Sequence, residues 1–167
     1  GVMRGAEEAN LIVTIAAAER SVTSELEIVR TLRGQRPRAI ILTGSRRLDD
    51  RQQAALEEQL IAYDASGGRV VLVAQAPSPF DVVELRNRDG AQELARQLVR
   101  QGGRAFGIVT GPLDLLTNRD RVDGFRAGLA ESDLAVHEDA IVPAAFTRDG
   151  GYEAVRTLLS RFPDTDT

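Results

Sequence analysis

With 167 residues, the chain has room for one ordinary domain or two small lobes. A net charge of −4 and a sequence isoelectric point near 5.1 exclude the chain as an electrostatic clamp for nucleic acid, so any DNA contact belongs to a separate segment. It has no Cys and a single His, which excludes a disulfide framework, thiolate catalysis and a Cys-ligated metal, and fits a cytosolic protein.

Gly1 to Asn10 reads as the tail of a helix, and Leu11 to Ala16 is a short apolar run. Ser21 to Arg33 has helical spacing, with Leu26, Val29 and Leu32 on one stripe and Ser21 or Thr23 as the N-cap. Arg38 to Thr43 is the next strand. A helix follows over Asp49 to Ala65 and is ended by Gly67-Gly68. Arg69 to Ala74 is a further strand, and Asp81 to Arg86 a short extended run that breaks the rhythm and marks the crossing between two lobes. Asn87 stands where it caps a helix over Arg88 to Gln101. Then come a strand over Ala105 to Thr110, a helix over Thr117 to Glu131, a strand over Val136 to Val142 and a helix over Asp149 to Arg161. Alternating apolar strands and amphipathic helices predict an α/β protein whose parallel sheet is covered on both faces. Aromatics make up 4% of the chain, so Leu, Ile, Val and Ala have to fill the core. No stretch approaches the roughly 18 apolar residues of a membrane span, so no membrane partner is expected. The chain reads as the retained part of a longer protein, cut at both ends.

All 21 basic residues are Arg, which reads as G+C-rich coding rather than function. Gly102-Gly103 and Gly150-Gly151 match neither phosphate-loop pattern, one of which needs a Lys, and are turn or cap glycines. The charge-rich Arg46 to Arg51 stretch is a solvated loop leading into a helix. His137 lies beside Glu138 and Asp139 and has no nucleophile or orienting carboxylate in a catalytic pattern, so it reads as a solvated surface His, and no metal site is expected. The segment Phe106 to Phe125 carries more. A buried strand runs into a Gly111-Pro112 turn and then a helix bearing Thr117, Arg119 and Arg121. Ligands of open α/β sheets lie at the carboxyl ends of strands, and an Arg one turn into such a helix can point there. The alternative for Arg121 is a surface ion pair with Asp114, Asp120 or Asp123.

The ordered set Val2 to Ala9, Ala39 to Ser45, Val70 to Val73, Asn87 to Gly90, Gly111-Pro112, Arg121-Val-Asp-Gly-Phe125 and Gly151-Tyr-Glu-Ala154 resembles the effector-binding core of the LacI/GalR family of bacterial transcription regulators. The resemblance runs nearly end to end. It implies a two-lobed, periplasmic-binding-protein-like (type I) fold, each lobe a parallel sheet flanked by helices, with the effector in the cleft between them. It places the N-terminal lobe at residues 1–86 and a partial C-terminal lobe at 87–167. The Arg of the family's R-x-x-G-[FW] motif is Arg121, which in relatives hydrogen-bonds the effector. Thr117 adds a polar contact or caps the helix. Ser45 is the cleft residue of the first lobe or a turn residue. Gln75 replaces a commonly acidic residue, and Phe146 matches an aromatic that stacks on the ligand ring, the alternative being ordinary core packing. Leu115 stands where some relatives carry a polar group. The family's V-x-x-D-N reads here as Val83-Glu-Leu-Arg86-Asn87, so an acidic residue has become cationic.

The resemblance implies a cytoplasmic, homodimeric regulator, a repressor in the first instance. It would sense a sugar or similar small polar metabolite and bind operator DNA through a helix-turn-helix outside this chain. No cofactor is implied. A transport-type periplasmic sugar-binding protein of the same fold is the alternative. An enzyme on a doubly wound sheet would need convergent acid and base groups that the sequence does not show.

Overall fold

The computed structural model describes residues 1–18, 22–44, 51–74 and 78–165. The elements run α1 (Val2–Glu8), α2 (Val22–Gly34), β1 (Ile40–Thr43), α3 (Arg51–Ala65), β2 (Val70–Ala74), β3 (Asp81–Glu84), α4 (Asn87–Arg100), β4 (Ile108–Thr110), α5 (Leu116–Ala130), a 3₁₀ turn (Glu138–Ala140), β5 (Ile141–Pro143) and α6 (Arg148–Arg161). The strands form a sheet of order β1-β2-β3 and a pair β4-β5. β3 runs parallel to β2 with Val71 opposite Asp81, and β5 runs parallel to β4 with Ile108 opposite Ile141. Helix α5 lies in the crossover between the parallel strands β4 and β5. This is the α/β architecture expected, with the short Asp81 run built in as a strand.

Several readings change in detail, among them β4, which begins only at Ile108 and is not buried. Leu11 to Ala16 forms no strand: Ile12 is 97% and Ile15 79% exposed, because an apolar run becomes a strand only where another backbone pairs with it. Burial alternates along β1, with Ile40 and Leu42 buried and Ile41 and Thr43 exposed, so this strand is not covered on both faces. The strand expected at Val136 begins only at Ile141. Before it, His137 Nδ1 accepts a hydrogen bond from the Asp139 amide at 3.2 Å, a local bond that favours a turn over an extended ladder. The His137 side chain is exposed, as expected. Finally, Asn87 is not a cap but the first residue of α4, whose N-cap is Arg86 without a side-chain bond. Of the α2 caps, Thr23 falls inside the helix and Ser21 lies outside the described residues.

The chain divides into two compact units. In the first, Gly1–Ile40 with Asp50–Val70, α2 packs on α3 through faces that bury Leu26, Val29, Leu56, Leu60 and Tyr63. The Tyr63 hydroxyl donates to the Pro37 carbonyl at 2.6 Å, and the Arg33 guanidinium donates to Gln59. Gly67 ends α3 at φ +96°, a conformation that disfavours a side chain.

The second unit, Ile41–Asp49 with Val71–Thr167, has a core of Ala95, Phe106, Leu129, Val136, Ala140 and Leu158. Phe125 meets Phe106 edge to face at 5.9 Å between centroids. Helices α4 and α5 lie side by side, and their contacts advance in step: Arg88 against Gly124, Gln92 and Ala95 against Gly128, Arg96 against Glu131. The helices therefore run parallel. Glycine is required at both crossings. A β-carbon would stand 2.1 Å from the Arg88 carbonyl oxygen at Gly124, and 2.4 Å from that of Gln92 at Gly128. At the far end, Glu131 takes bonds from Arg96 at 2.6 and 2.7 Å and from Gln92 at 2.6 Å. These bonds, that to Arg96 foremost, pull the Glu131 carboxyl down to about 2.

Two stability predictions follow from this packing. Gly124→Ala, facing backbone rather than a movable side chain, should destabilise by about 1–3 kcal/mol in denaturant titrations. Gly90→Ala, in α4 with nothing within 4 Å of the added carbon, should stabilise by about 1 kcal/mol. A carboxyl whose folded pKa is depressed contributes stability above its unfolded value and loses it as pH falls. The Glu131 contribution should therefore fade between about 4.5 and about 2, and thermal melts of Glu131→Gln should fall less steeply over that window than those of the native chain.

Candidate functional site

The site is assembled at the carboxyl ends of β4 and β5. The Thr110 carbonyl at the end of β4 accepts the Ala144 amide at 2.7 Å, which ties the loop after β5 to the neighbouring strand end. Three residues on, Thr147 caps α6, its Oγ1 accepting from the Gly150 amide at 3.0 Å. Phe146 is held between these anchors and is 46% exposed, so it is not a core aromatic. One edge of its ring lies over Gly111. A β-carbon at Gly111 would stand 2.2 Å from the ring's Cζ and 2.6 Å from Asn118 Nδ2. Only the lack of a side chain lets ring, strand end and helix start converge.

The turn from Gly111 to Leu115 is fixed from α5. Asn118 is buried, and its Nδ2 donates to the Pro112 carbonyl at 2.8 Å while the Leu115 amide donates to the same oxygen at 3.2 Å. This satisfies a carbonyl that would otherwise be left without a partner at the strand–helix turn. Thr117 stands in the first turn of α5, half-buried, and Arg121 one turn later. Residues four apart share a helix face. The N-cap is Leu115, without a side-chain cap bond, so Thr117 does not cap the helix.

Arg121 is exposed. Its Nε donates to Asn87 Oδ1 at 2.9 Å, linking α5 to the first residue of α4. Among the described residues it makes none of the ion pairs that were its alternative. Asp123 faces Arg119 at 3.8 Å and Arg88 at 4.0 Å instead. Arg86, the cation in place of the family's acid, is held by Asp89, with Nε and Nη2 at 2.8 and 2.6 Å from one carboxylate oxygen.

Of the residues singled out in the sequence, the structure thus gathers Thr117, Arg121 and Phe146 on elements that meet at the β4 and β5 ends. Ser45 and Gln75 lie outside the described residues. Asn118 and the Asn87 contact were missed. Asn118 had a signal, a polar residue in the inward stripe Leu115, Asn118, Val122, Phe125, Leu129; Asn87 had none beyond its place in the motif. Chemically, a guanidinium with terminal N–H donors and a half-exposed aromatic ring are groups suited to a polar ligand with an apolar face.

Among the described residues, no helix is long and apolar enough to cross a membrane. Residues 2–167 match the family described as periplasmic binding proteins and sugar binding domain of LacI family. The HTH-type transcriptional regulator CelR of Thermobifida fusca is 28% identical over 152 residues, 91% of this chain and 44% of that protein. The HTH-type transcriptional repressor PurR of Haemophilus influenzae is 30% identical over 81 residues, 48% of this chain and 24% of the relative. The solved complex of the transcriptional regulator CelR with cellobiose superposes with a TM-score of 0.74 at 25% identity, over 96% of this chain and 47% of that one. The chain therefore spans less than half the length of these relatives. On the match over nearly its whole length, the chain belongs to the family of periplasmic binding proteins and LacI-family sugar-binding domains.

Proposed function

We propose that this chain is the effector-binding core of a ligand-responsive transcription regulator, a repressor, whose effector is a sugar or similar hydroxyl-bearing metabolite. The observation that carries the reading is the half-exposed Phe146 ring seated on Gly111, at the strand ends from which α5 presents Thr117 and Arg121. Aromatic faces pack against the C–H faces of sugar rings. The guanidinium offers directional donors to hydroxyl oxygens. The relatives named above are transcription regulators, and one was solved with cellobiose.

In this reading residues 87–167 form the second lobe and supply Thr117, Arg121 and Phe146, while residues 1–86 form the first and supply Ser45 and Gln75. Effector binding favours one conformation by differential contacts, and that bias reaches a helix-turn-helix outside this chain as allosteric coupling, of a size typically about 1–3 kcal/mol. The regulator acts as a cytoplasmic homodimer on a pseudo-palindromic operator. Helix α1, which buries none of its residues and exposes Val2 and Met3, is a natural part of the dimer contact. No catalytic step and no cofactor is assigned.

Titration calorimetry with cellobiose and related sugars tests the site. Arg121→Ala should weaken binding by more than about tenfold, the equivalent of one charged hydrogen bond, with an unchanged far-ultraviolet spectrum. Phe146→Ala should weaken it comparably. An Arg121→Ala affinity equal to that of the native chain would count against the assignment.

A further inference from the structure

We propose that Asn87 is the positioning residue that orients Arg121 toward its ligand, an inference that rests on the reading of Arg121 as an effector contact. The Asn87 amide is engaged at both ends. Its Nδ2 donates to the Leu85 carbonyl at 3.3 Å, and its Oδ1 accepts from Arg121 Nε at 2.9 Å. The same Leu85 carbonyl accepts the Asn87 backbone amide at 2.7 Å. These bonds fix which way the amide points. Turning it over would set an NH₂ donor against the Nε–H donor and leave Leu85 facing an oxygen. The acceptor is thereby held toward α5.

Its place is set by packing rather than by the side chain. Asn87 precedes Arg88, whose carbonyl touches the main chain at Gly124, and Gly124 is three residues after Arg121 on the same face of α5. The glycine crossing therefore brings the start of α4 beside Arg121. The bond uses only Nε. Among the described residues the two terminal NH₂ groups have no partner and remain available as a two-pronged donor. The chemistry also assigns the acceptor's charge. A neutral amide orients the guanidinium without neutralising it, whereas the nearby carboxylate of Asp89 is occupied by Arg86. Orientation is thus separated from charge compensation, and the charge is left for ligand oxygens.

The test has two arms. In the chain labelled with ¹⁵N-arginine, the Arg121 Nε–Hε signal is assigned by its loss in Arg121→Lys. In the native chain this signal should show restrained motion and slowed Hε exchange. Asn87→Ala should bring it to the values of a free surface arginine, and Asn87→Asp, which keeps an acceptor, should restore the restraint. In the second arm, cellobiose affinity should fall on the order of tenfold in Asn87→Ala, and that loss should vanish in an Arg121→Ala background. An Arg121 signal equally mobile in the native chain and in Asn87→Ala would overturn the positioning role. So would a full affinity loss that persists without Arg121. Absence of cellobiose binding by the native chain would count against cellobiose as the effector alone, and the spectroscopic arm would still decide the Asn87–Arg121 link.

Discussion

The main chain of α4 touches that of α5 at two glycines, and most of what is distinctive in the second unit depends on that approach. Gly124 lies against the Arg88 carbonyl and Gly128 against that of Gln92, with no space for a methyl group at either. The contact sets the axial alignment of two parallel helices. It carries the Arg96–Glu131 bonds at one end and the Asn87–Arg121 bond at the other. The exposed ion pairs add to the alignment but cannot replace it, because solvent-exposed pairs contribute little on their own.

A second close approach, at Gly111, does for the site what Gly124 does for the helices. The Phe146 ring, the Asn118 amide and the end of β4 share a volume that a side chain would fill. The two constraints meet on α5. Its first turns carry Asn118, which fixes the strand–helix turn, and Arg121, which the start of α4 holds in place. The proposed site is therefore built on helices and strand ends whose positions are set by backbone contact, an arrangement that would hold binding groups in a repeatable geometry.

Much of this was legible in the sequence, and the limits have physical causes. The helices followed from apolar spacing, and the strand–turn–helix around Gly111 followed from an apolar run ended by Gly-Pro, although the strand is shorter than that run and is not buried. The helix carrying Thr117 and Arg121 was legible too, and their four-residue spacing puts them on one face of it. What a local pattern cannot show is which groups meet across elements. Asn87 looked like a cap because Asn caps helices well, yet its amide is drawn to an arginine 34 positions away. Leu11 to Ala16 had the composition of a strand, but extended structure requires a partner backbone, which composition does not reveal. His137 bends the chain through a bond to an amide two residues on, and this delays β5 until Ile141. The family resemblance singled out Phe146, and its half-exposed position sets it apart from a fully packed core aromatic in a way that periodicity could not.

The central claim is that a small polar ligand meets Arg121 and Phe146 at the ends of β4 and β5. Chemical-shift mapping of the isotopically labelled chain during a cellobiose titration tests it most directly. The account predicts saturable shifts concentrated at Gly111, Thr117, Arg121 and Phe146, with the α6 face around Tyr152 unaffected. Saturable shifts that leave these four residues unmoved would place the ligand elsewhere and contradict the account.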